Sequence, residues 1–315
     1  MRAAWYERQG DAHDVLVVGE VDEPEPGPGQ VRVRIIYSGI NPGDIKKRAG
    51  WRGSAMPHPR VIPHSDGTGV IDAVGPGTDA TRVGRRVWVY GAQSYRPFGT
   101  AAEATVVPEA QAVDLPYNVN NQVGAALGIP GISAHRAVFA DGPVQGRFVL
   151  VHGVRGAVGS LAAQLARWGG ALVLGTVRSG PGGIALDGAD PAADVLQLAP
   201  GGVDRIVEVA FGANIDFNVS VAGPHCVIAS YGSQDERPSI PYWPLAFANI
   251  TLRLLGSDDF PAQAKQAAAH DLNRAAAEGA LAVEVADPYP LEGIADAHAA
   301  VEAGATRQRI LLKVV

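Results

Sequence analysis

Hydrophobic and polar positions alternate in the first third of the chain. Residues 31–36 read Val-Arg-Val-Arg-Ile-Ile, and short apolar runs at 15–18, 69–74 and 86–90 are separated by glycine and proline. A period of two that is broken by turn residues is typical of β-strands with one buried face. The pattern predicts an all-β region over the first 120 residues.

The spacing changes at Gly124. An alanine-rich stretch predicts a helix from there to Phe139, and the β-branched run 147–152 follows. A short run that is apolar throughout is typical of a strand buried on both faces. An amphipathic helix and a second buried run at 171–177 complete one βαβ unit. Further runs of this kind predict a parallel α/β sheet, and they lie at 204–209, 226–231 and 251–256.

The rest of the chain predicts a mixed tail. Its elements are a helix over 262–278, a strand near Val283, a helix over 291–303 and a last strand over 309–315. We therefore predict a β-rich domain over 1–120, an inserted α/β domain over 121–258, and a tail over 259–315 that returns to the first domain.

Composition and charge narrow the possible partners. The chain has 315 residues, a net charge of −6 and one cysteine, Cys226. One cysteine excludes an intrachain disulfide and any cysteine-rich zinc site. The sequence contains no cluster of basic residues of the kind that binds nucleic acid. No apolar run approaches the roughly 18 residues of a membrane span. We expect a cytoplasmic protein that binds neither nucleic acid nor a membrane.

A glycine motif follows the first buried strand of the α/β region and opens a helix. Backbone amides and the positive helix end can meet a pyrophosphate at such a turn, where side chains would obstruct it. The spacing GxxGxxG differs from the commoner GxGxxG, but the order strand, glycines, helix, strand supports the same function. The predicted cofactor contacts are Gly153, Val154, Arg155, Gly156, Ala157, Val158 and Gly159.

The end of the second buried run selects between the nicotinamide cofactors. An NAD enzyme places an acid there against the ribose 2′-OH. The segment holds Thr176, Arg178 and Ser179 but no acid, and Asp187 comes late in the sequence. Arg178 either clamps a 2′-phosphate or is a solvated loop arginine. We predict NADPH, with NADH less favoured.

Several segments in this order resemble one family. They are Ser38–Asp44 (SGINPGD), Pro63–Val70 (PHSDGTGV), Val83–Val87 (VGRRV), Val149–Gly153 (VLVHG) and Tyr289–Leu291 (YPL). Together they resemble the zinc-independent quinone oxidoreductase (zeta-crystallin-like) branch of the medium-chain dehydrogenase/reductase superfamily. The resemblance implies an α/β fold: a GroES-like β-rich catalytic domain, an inserted Rossmann cofactor domain, and a homodimer or homotetramer.

Zinc enzymes of the superfamily need ligands that this chain lacks. Asn41 stands where the resemblance implies a cysteine, and Ser65 where it implies a histidine. His58, His64 and Asp66 lie in a proline-rich segment and are not expected to replace them. We expect no metal, so carbinol oxidation loses its Lewis acid. Reduction of a quinone or a conjugated carbonyl compound remains.

The candidate catalytic loop begins at Asn41. We expect Asn41 to orient the nicotinamide ribose and the substrate, with Asp44 supporting the loop. The alternative is an Asn-Pro turn capped by Asp44. A quinone needs no dedicated general acid, because the hydroquinone oxyanion can take its proton from solvent.

The chain departs from the family where the resemblance implies tyrosines at the mouth of the site. Lys46 stands at the first position, and Trp51 and Arg52 at the second. The two cations either attract an anionic acceptor or are solvated, and Trp51 either stacks on a quinone or belongs to the core. The missing tyrosine argues against efficient reduction of enoyl thioesters.

Four further positions complete the candidate cofactor site. Ser133 stands where the resemblance implies a threonine near the nicotinamide, or it is a helix-face hydroxyl. Tyr231 and Gly232 follow a buried strand and either line the cofactor cleft or pack. Arg309 contacts the cofactor or only carries charge.

The alternative functions are reduction of activated alkenes (enals, enones, enoyl thioesters) and non-catalytic NADPH binding.

Overall fold

The computed structural model describes residues 1–304 and 306–315 and divides into two compact units. Unit 1 consists of Met1–Pro130 with Ala282–Val315, and unit 2 of Gly131–Leu281. The sequence placed the boundaries after residues 120 and 258. The catalytic and cofactor roles assigned to these regions stay predictions.

The described strands and helices are short. The strands are β1 (Arg2–Trp5), β2 (Val17–Glu20), β3 (Gln30–Gly39), β4 (Asp66–Val74), β5 (Arg86–Val89), β6 (Ala104–Pro108), β7 (Ala112–Asp114), β8 (Phe148–Val151), β9 (Leu172–Val177), β10 (Ile184–Ala185), β11 (Val203–Glu208), β12 (Ala222–Ser230), β13 (Thr251–Leu254), β14 (Tyr289–Pro290) and β15 (Leu311–Lys313). The helices are α1 (Ala12–Val15), α2 (Pro42–Ala49), α3 (Asn121–Phe139), α4 (Ala157–Trp168), α5 (Pro191–Leu198), α6 (Phe211–Val221), α7 (Tyr242–Phe247), α8 (Ala262–Ala277) and α9 (Ile294–Glu302).

Unit 1 is built on a mixed, mostly antiparallel sheet. The strand order is β14-β15-β3-β4-β5-β7, and β6 pairs with β3. The alternation in β3 behaves as predicted, because Val31, Val33 and Ile35 are fully buried. Arg32 and Arg34 point away from that core and bond to the carboxylate of Asp72 on β4. One face of β3 therefore forms core and the other carries an ion-pair cluster.

The first third of the chain is not all-β, which corrects the expectation from the sequence. Helix α2 follows β3, and its start is encoded locally by Asn41 as the N-cap, Pro42 in the first turn and Asp44 at the third position. These residue types favour a helix start. Gly50 ends the helix with a left-handed φ of 69°. The helix-capping residues therefore determine the structure of this segment, although the residues around it alternate as in a strand.

Unit 2 contains the parallel sheet that the buried runs predict. Its strand order is β10-β9-β8-β11-β12-β13, and every neighbouring pair is parallel. Residues 149–151 of β8 are fully buried. Because all strands run the same way, the segments after β8, β9, β11 and β12 emerge at one edge of the sheet. The glycine motif lies at that edge.

The tail differs from its predicted form. Helix α8 belongs to unit 2 and only the residues from Ala282 onward to unit 1. The predicted strand near Val283 is wrong, because that stretch forms a single β-bridge, between Val285 and Arg309. Pro288 lacks the N–H group needed to extend this pairing. The predicted helix over 291–303 begins as a 3-10 turn and continues as α9.

Candidate functional site

A buried carboxylate organises the candidate catalytic loop of unit 1. Asp66 is fully buried at the start of β4. Its Oδ2 accepts a hydrogen bond of 2.6 Å from Nδ2 of Asn41 and lies 3.6 Å from the Arg309 guanidinium. Arg309 in turn donates to Oδ1 of Asn41 at 2.8 Å and to the carbonyl of Ile40. Both ends of the Asn41 amide are thereby held.

The other Asp66 oxygen is bonded to a kink in helix α3. Oδ1 accepts the backbone N–H of Ile129 at 2.8 Å. The backbone at Gly128 is not helical (φ −43°, ψ −120°), and Pro130 follows within the same helix. A Cβ on Gly128 would lie 2.1 Å from Oδ1, so glycine is required for this approach. The kink in α3 thus exposes the N–H of Ile129 to Asp66, and the Asp66 carboxylate occupies the space beside Gly128.

Asp44 lies inside the protein and is bonded to the backbone of the same loop. Its carboxylate accepts the backbone N–H of Asn41 at 2.7 Å and is almost fully buried. Burial raises the pKa of Asp44 to about 7, although the Asn41 N–H and the charge of Lys47 act in the opposite direction. This is the Asp-capped Asn-Pro helix start that the sequence left as the alternative, and it coexists with the anchoring of the Asn41 side chain.

A chain of buried polar side chains ends on the backbone of Asp66. Thr100 Oγ1 donates to the Asp66 carbonyl at 2.6 Å, so it must accept from Ser38 Oγ at 2.7 Å. Ser38 then accepts from Nδ1 of His64 at 2.8 Å. His64 Nε2 accepts from Nε2 of His298, also at 2.8 Å. Because a carbonyl can only accept, the direction of every bond follows.

The two histidines of this chain are neutral for a physical reason. Burial holds the pKa of His64 well below its usual range, and it lowers the pKa of His298 to about 3 with a further contribution from Arg48. The direction of these hydrogen bonds places the proton of neutral His298 on Nε2. Its Nδ1 is buried and has no hydrogen-bond partner among residues 1–304 and 306–315. The sequence analysis missed this chain.

The positions that depart from the family form one cluster on the surface. The ammonium group of Lys46 lies 4.5 Å from the centre of the Trp51 ring, and the Arg52 guanidinium lies 4.3 Å from it. Trp51 is 44% exposed, so it is not a core residue. The structure therefore brings Lys46, Trp51 and Arg52 together at the end of helix α2.

The glycine segment of unit 2 has the form expected of an anion site. It links the end of β8 to the start of α4, with Gly153 at a φ of 61°. A Cβ on Gly159 would lie 2.2 Å from the Gly153 carbonyl, so the turn requires glycine there. Gly156 caps α4 without a side-chain acceptor. The first-turn amides of Ala157, Val158 and Gly159 have no partner within the helix.

A second buried network lies at the same strand edge. His152, which follows β8, is bonded through Nδ1 to Thr176 Oγ1 at 2.8 Å and through Nε2 to Asn218 Oδ1 at 2.7 Å. Asn218 donates to the fully buried carboxylate of Glu208 at 2.6 Å. The Thr176 carbonyl accepts the N–H of Val154. The Thr176 side chain therefore points inward, and the sequence missed Glu208 and Asn218.

The predicted cofactor residues after β9 lie in an exposed glycine-rich loop. Arg178 and Ser179 are exposed, and the loop returns so that the Asp187 N–H bonds the Arg178 carbonyl at 3.3 Å. Asp187, which comes late in the sequence, therefore lies close to Arg178 in space. Arg155 reaches the same loop, because a Cβ on Gly182 would lie 2.6 Å from its Nη2.

The remaining candidates occupy separate places in unit 2. Ser133 is buried on α3. Tyr231 follows β12, and its N–H donates to the Glu208 carbonyl at 3.0 Å. The Gly232 carbonyl accepts from the Ser230 hydroxyl at 3.2 Å and from the N–H of Phe211 at 3.0 Å. Burial, then the charge of Glu208, raises the pKa of Tyr231. Their contact with a cofactor stays a prediction.

Across residues 1–304 and 306–315, no three histidine, cysteine or acidic side chains cluster in a way that suits a metal ion. In the same residues, no helix combines the length and apolar character that crossing a bilayer requires.

The buried histidines predict a loss of stability in mild acid. The unfolded chain binds protons near pH 6.5 that folded His64 and His298 reject. The contribution of the two histidines to stability is thus full above pH 6.5 and falls below it, at up to about 1.4 kcal/mol per pH unit for each histidine. Protonation of Asp44 stabilises the folded state as the pH falls and so offsets the effect of one histidine. The reason is that its raised pKa of about 7 lets the folded state bind a proton in this range.

Thermal unfolding between pH 7.5 and 5 measures this balance. The midpoint should fall with pH, more steeply in Asp44→Asn and less steeply in His298→Gln. A midpoint whose pH dependence is the same in all three proteins would contradict the assignment of these pKa shifts.

Known proteins are similar to this chain in sequence and in fold. A family model described as the alcohol dehydrogenase GroES-like domain matches residues 27–117. Quinone oxidoreductase from Mus musculus is 30% identical over 99% of this chain and 98% of its own length. A Pseudomonas syringae quinone oxidoreductase structure is 26% identical with a TM-score of 0.84 over 99% of each chain. A mycobacterial quinone oxidoreductase structure is 25% identical with a TM-score of 0.87 over 100% of each.

These similarities confirm the predicted fold class, a GroES-like β-rich domain with an inserted Rossmann domain. The candidate sites described above lie on that fold. The chain therefore belongs to the quinone oxidoreductase branch of the medium-chain dehydrogenase/reductase superfamily.

Proposed function

We propose that this protein transfers hydride from NADPH to a quinone without zinc. The observation that carries the proposal is the fixed Asn41 side chain, bonded at Nδ2 to Asp66 and at Oδ1 to Arg309. Relatives named quinone oxidoreductase, similar over nearly the whole chain, support the reaction class.

The glycine segment fits a dinucleotide pyrophosphate. The unbonded amides at the start of α4 offer donors to phosphate oxygens, and the positive helix end favours their charge. The required glycines keep side chains out of the turn. When bound, the cofactor supplies the hydride, and the protein has to position the acceptor and exclude water.

The donor set around Asn41 suits an organic acceptor better than a metal ion. The Asn41 oxygen already accepts from a guanidinium, whose positive charge opposes a cation at that place. Both ring nitrogens of His64 are used within the polar chain. A conjugated acceptor needs no Lewis acid of the kind that carbinol oxidation needs. A quinone therefore fits this site.

The NADPH preference rests on the loop after β9. Arg178 belongs to that loop, and Arg155 reaches it from the glycine segment. Guanidinium groups bind phosphate through paired, charge-assisted bonds. Asp187 is the competing feature, since a carboxylate there would favour a ribose 2′-OH. The two arginines and the acid therefore define a direct test of cofactor choice.

We propose that the protein assembles as a homodimer or homotetramer through helix α7. Tyr242, Trp243 and Phe247 are 63%, 64% and 79% exposed and form one row of contacting rings. Strand β13, which ends the parallel sheet, exposes Leu254. Monomeric proteins rarely leave such apolar patches in water.

The reaction is tested by following NADPH oxidation with metal-stripped protein. We expect consumption with 1,4-benzoquinone and 9,10-phenanthrenequinone, slower turnover with a 2-alkenal or an enoyl thioester, and no gain on adding zinc. Asn41→Ala should lower kcat/KM by about 10- to 100-fold because positioning is lost. Turnover restored only by zinc would contradict the proposal.

Two other outcomes favour the alternatives. Consumption with the alkenal and none with the quinones would favour a reductase of activated alkenes. NADPH binding without consumption by any acceptor would favour a non-catalytic role.

Cofactor choice is tested by calorimetric titration with NADPH, NADH and 2′,5′-ADP. Arg178→Ala and Arg155→Ala should each raise the Kd of NADPH by about 10- to 100-fold, because charge-assisted bonds to the 2′-phosphate are lost. Arg167→Ala, an exposed arginine of α4, is the matched control. Tighter binding of NADH, lost in Asp187→Asn, would contradict the proposal.

Assembly is tested by light scattering of the wild type and of Trp243→Ser/Phe247→Ser. We expect the wild type at two or four times the chain mass of 32.7 kDa and the variant at that mass, because the apolar face is removed. A monomeric wild type would refute assembly through this face.

A further inference from the structure

Unit 1 contains a cavity that is separate from the residues of the candidate catalytic loop. Its volume is about 540 Å³, within the range of about 300–1,000 Å³ that is usual for ligand pockets. Its wall includes the apolar side chains of Val21, Pro24, Pro59, Ile62, Pro97 and Phe98. In the described part of the chain, none of the predicted catalytic or cofactor residues lines it. The cavity therefore offers a concave apolar surface that the proposed reaction does not use.

Hydrogen bonds hold the wall of the cavity in place. Ile62 and Phe98 form a parallel β-bridge, and the Ile62 N–H donates to the Pro97 carbonyl at 2.8 Å. The Pro24 carbonyl accepts from the Arg32 side chain at 3.3 Å, which ties the segment before β3 to the sheet. A ligand therefore meets a surface that is already formed, so binding costs little conformational entropy in the protein.

The charges in the wall leave one acid without a counterpart. Arg60 donates to the Glu7 carboxylate through Nε at 2.8 Å and through Nη2 at 2.6 Å, so these two charges match each other. The ammonium group of Met1, which also lines the cavity, lies 3.4 Å from Glu20. Asp22 forms neither an ion pair nor a hydrogen bond with any residue that the structure describes. Its negative charge is left for a ligand.

The segment that contributes Asp22 is acidic. Residues 20–25 hold four carboxylates and no basic side chain. Two of these acids, Glu23 and Glu25, are paired with arginines of β3, whereas Glu20 is 76% exposed. Carboxylates beside an apolar cavity raise the local concentration of cations and repel anions. The charge of this segment therefore selects among the apolar molecules that fit the cavity.

We propose that this cavity binds small organic cations, molecules that combine an apolar body with one ammonium group. The apolar side chains contact the body of the ligand, with the ring of Phe98 available at 47% exposure. The Asp22 carboxylate attracts the ammonium group. The site is independent of the proposed quinone reduction, because it uses neither the Asn41 loop nor the glycine segment.

Three probes with the same apolar body measure the charge preference. They are 4-phenylbutylamine, 4-phenylbutan-1-ol and 4-phenylbutanoate, which at neutral pH are cationic, neutral and anionic. Binding to the whole chain is measured by calorimetric titration at low salt. We expect the amine to bind about three- to fivefold more tightly than the alcohol, and the acid more weakly than the alcohol, because one solvated carboxylate contributes about that much. The preference for the amine should disappear in 0.5 M salt, where such charges are screened.

Two variants locate the site, each beside a matched control. Asp22→Asn should give the amine and the alcohol equal affinity, whereas Asp216→Asn, which changes an exposed acid of α6, should keep the wild-type preference. Phe98→Ala should weaken all three probes by about fivefold, because part of the apolar wall is lost. Tyr117→Ala removes a ring that is 93% exposed and should leave all three affinities unchanged.

Four results would overturn the proposal. They are the absence of binding by any probe, a preference for the amine that persists in Asp22→Asn, affinities that Phe98→Ala leaves unchanged, and competition between the amine and NADPH. Competition would place the probes at the candidate cofactor site. Because no step of the test uses NADPH oxidation, its result is the same whether or not the proposed reaction is right.

Discussion

A single buried carboxylate sets the geometry of the candidate catalytic loop in unit 1. Asp66 has no access to water, so its charge and lone pairs have to be satisfied by protein groups. The Asn41 amide, the Arg309 guanidinium and the N–H of Ile129 satisfy them, and they come from three distant parts of the chain. Losing Arg309 would leave the charge of the carboxylate uncompensated, and losing either N–H donor would leave one of its oxygens without that hydrogen bond. The orientation of Asn41 follows from this requirement.

Unit 2 uses the same device at its strand edge. Glu208 is also fully buried, and it is bonded to Asn218 and, through it, to His152 beside the glycine segment. In both units a buried acid holds a loop that carries candidate site residues. Under the proposed function these acids act by positioning other groups, and the cofactor and the acceptor would supply the reacting atoms.

The sequence predicted what local patterns encode. The parallel sheet, the glycine turn and the alternation in β3 follow from period and turn chemistry, which act over short stretches. The partnership of Asn41 with Arg309 joins residues 268 positions apart, and no local pattern specifies it. Asp187 seemed too distant because the loop after β9 folds back. Trp51 could not be assigned from hydrophobicity, because its ring is supported by cations and not by core.

We propose that Asp66 acts on catalysis through Asn41. The most direct measurement is a double-mutant cycle on kcat/KM for quinone reduction, with Asp66→Asn, Asn41→Ala and the double variant. If Asp66 works by orienting Asn41, the double variant should be no slower than the slower of the two single variants. Losses that multiply would show that the two residues act independently, and would contradict the account.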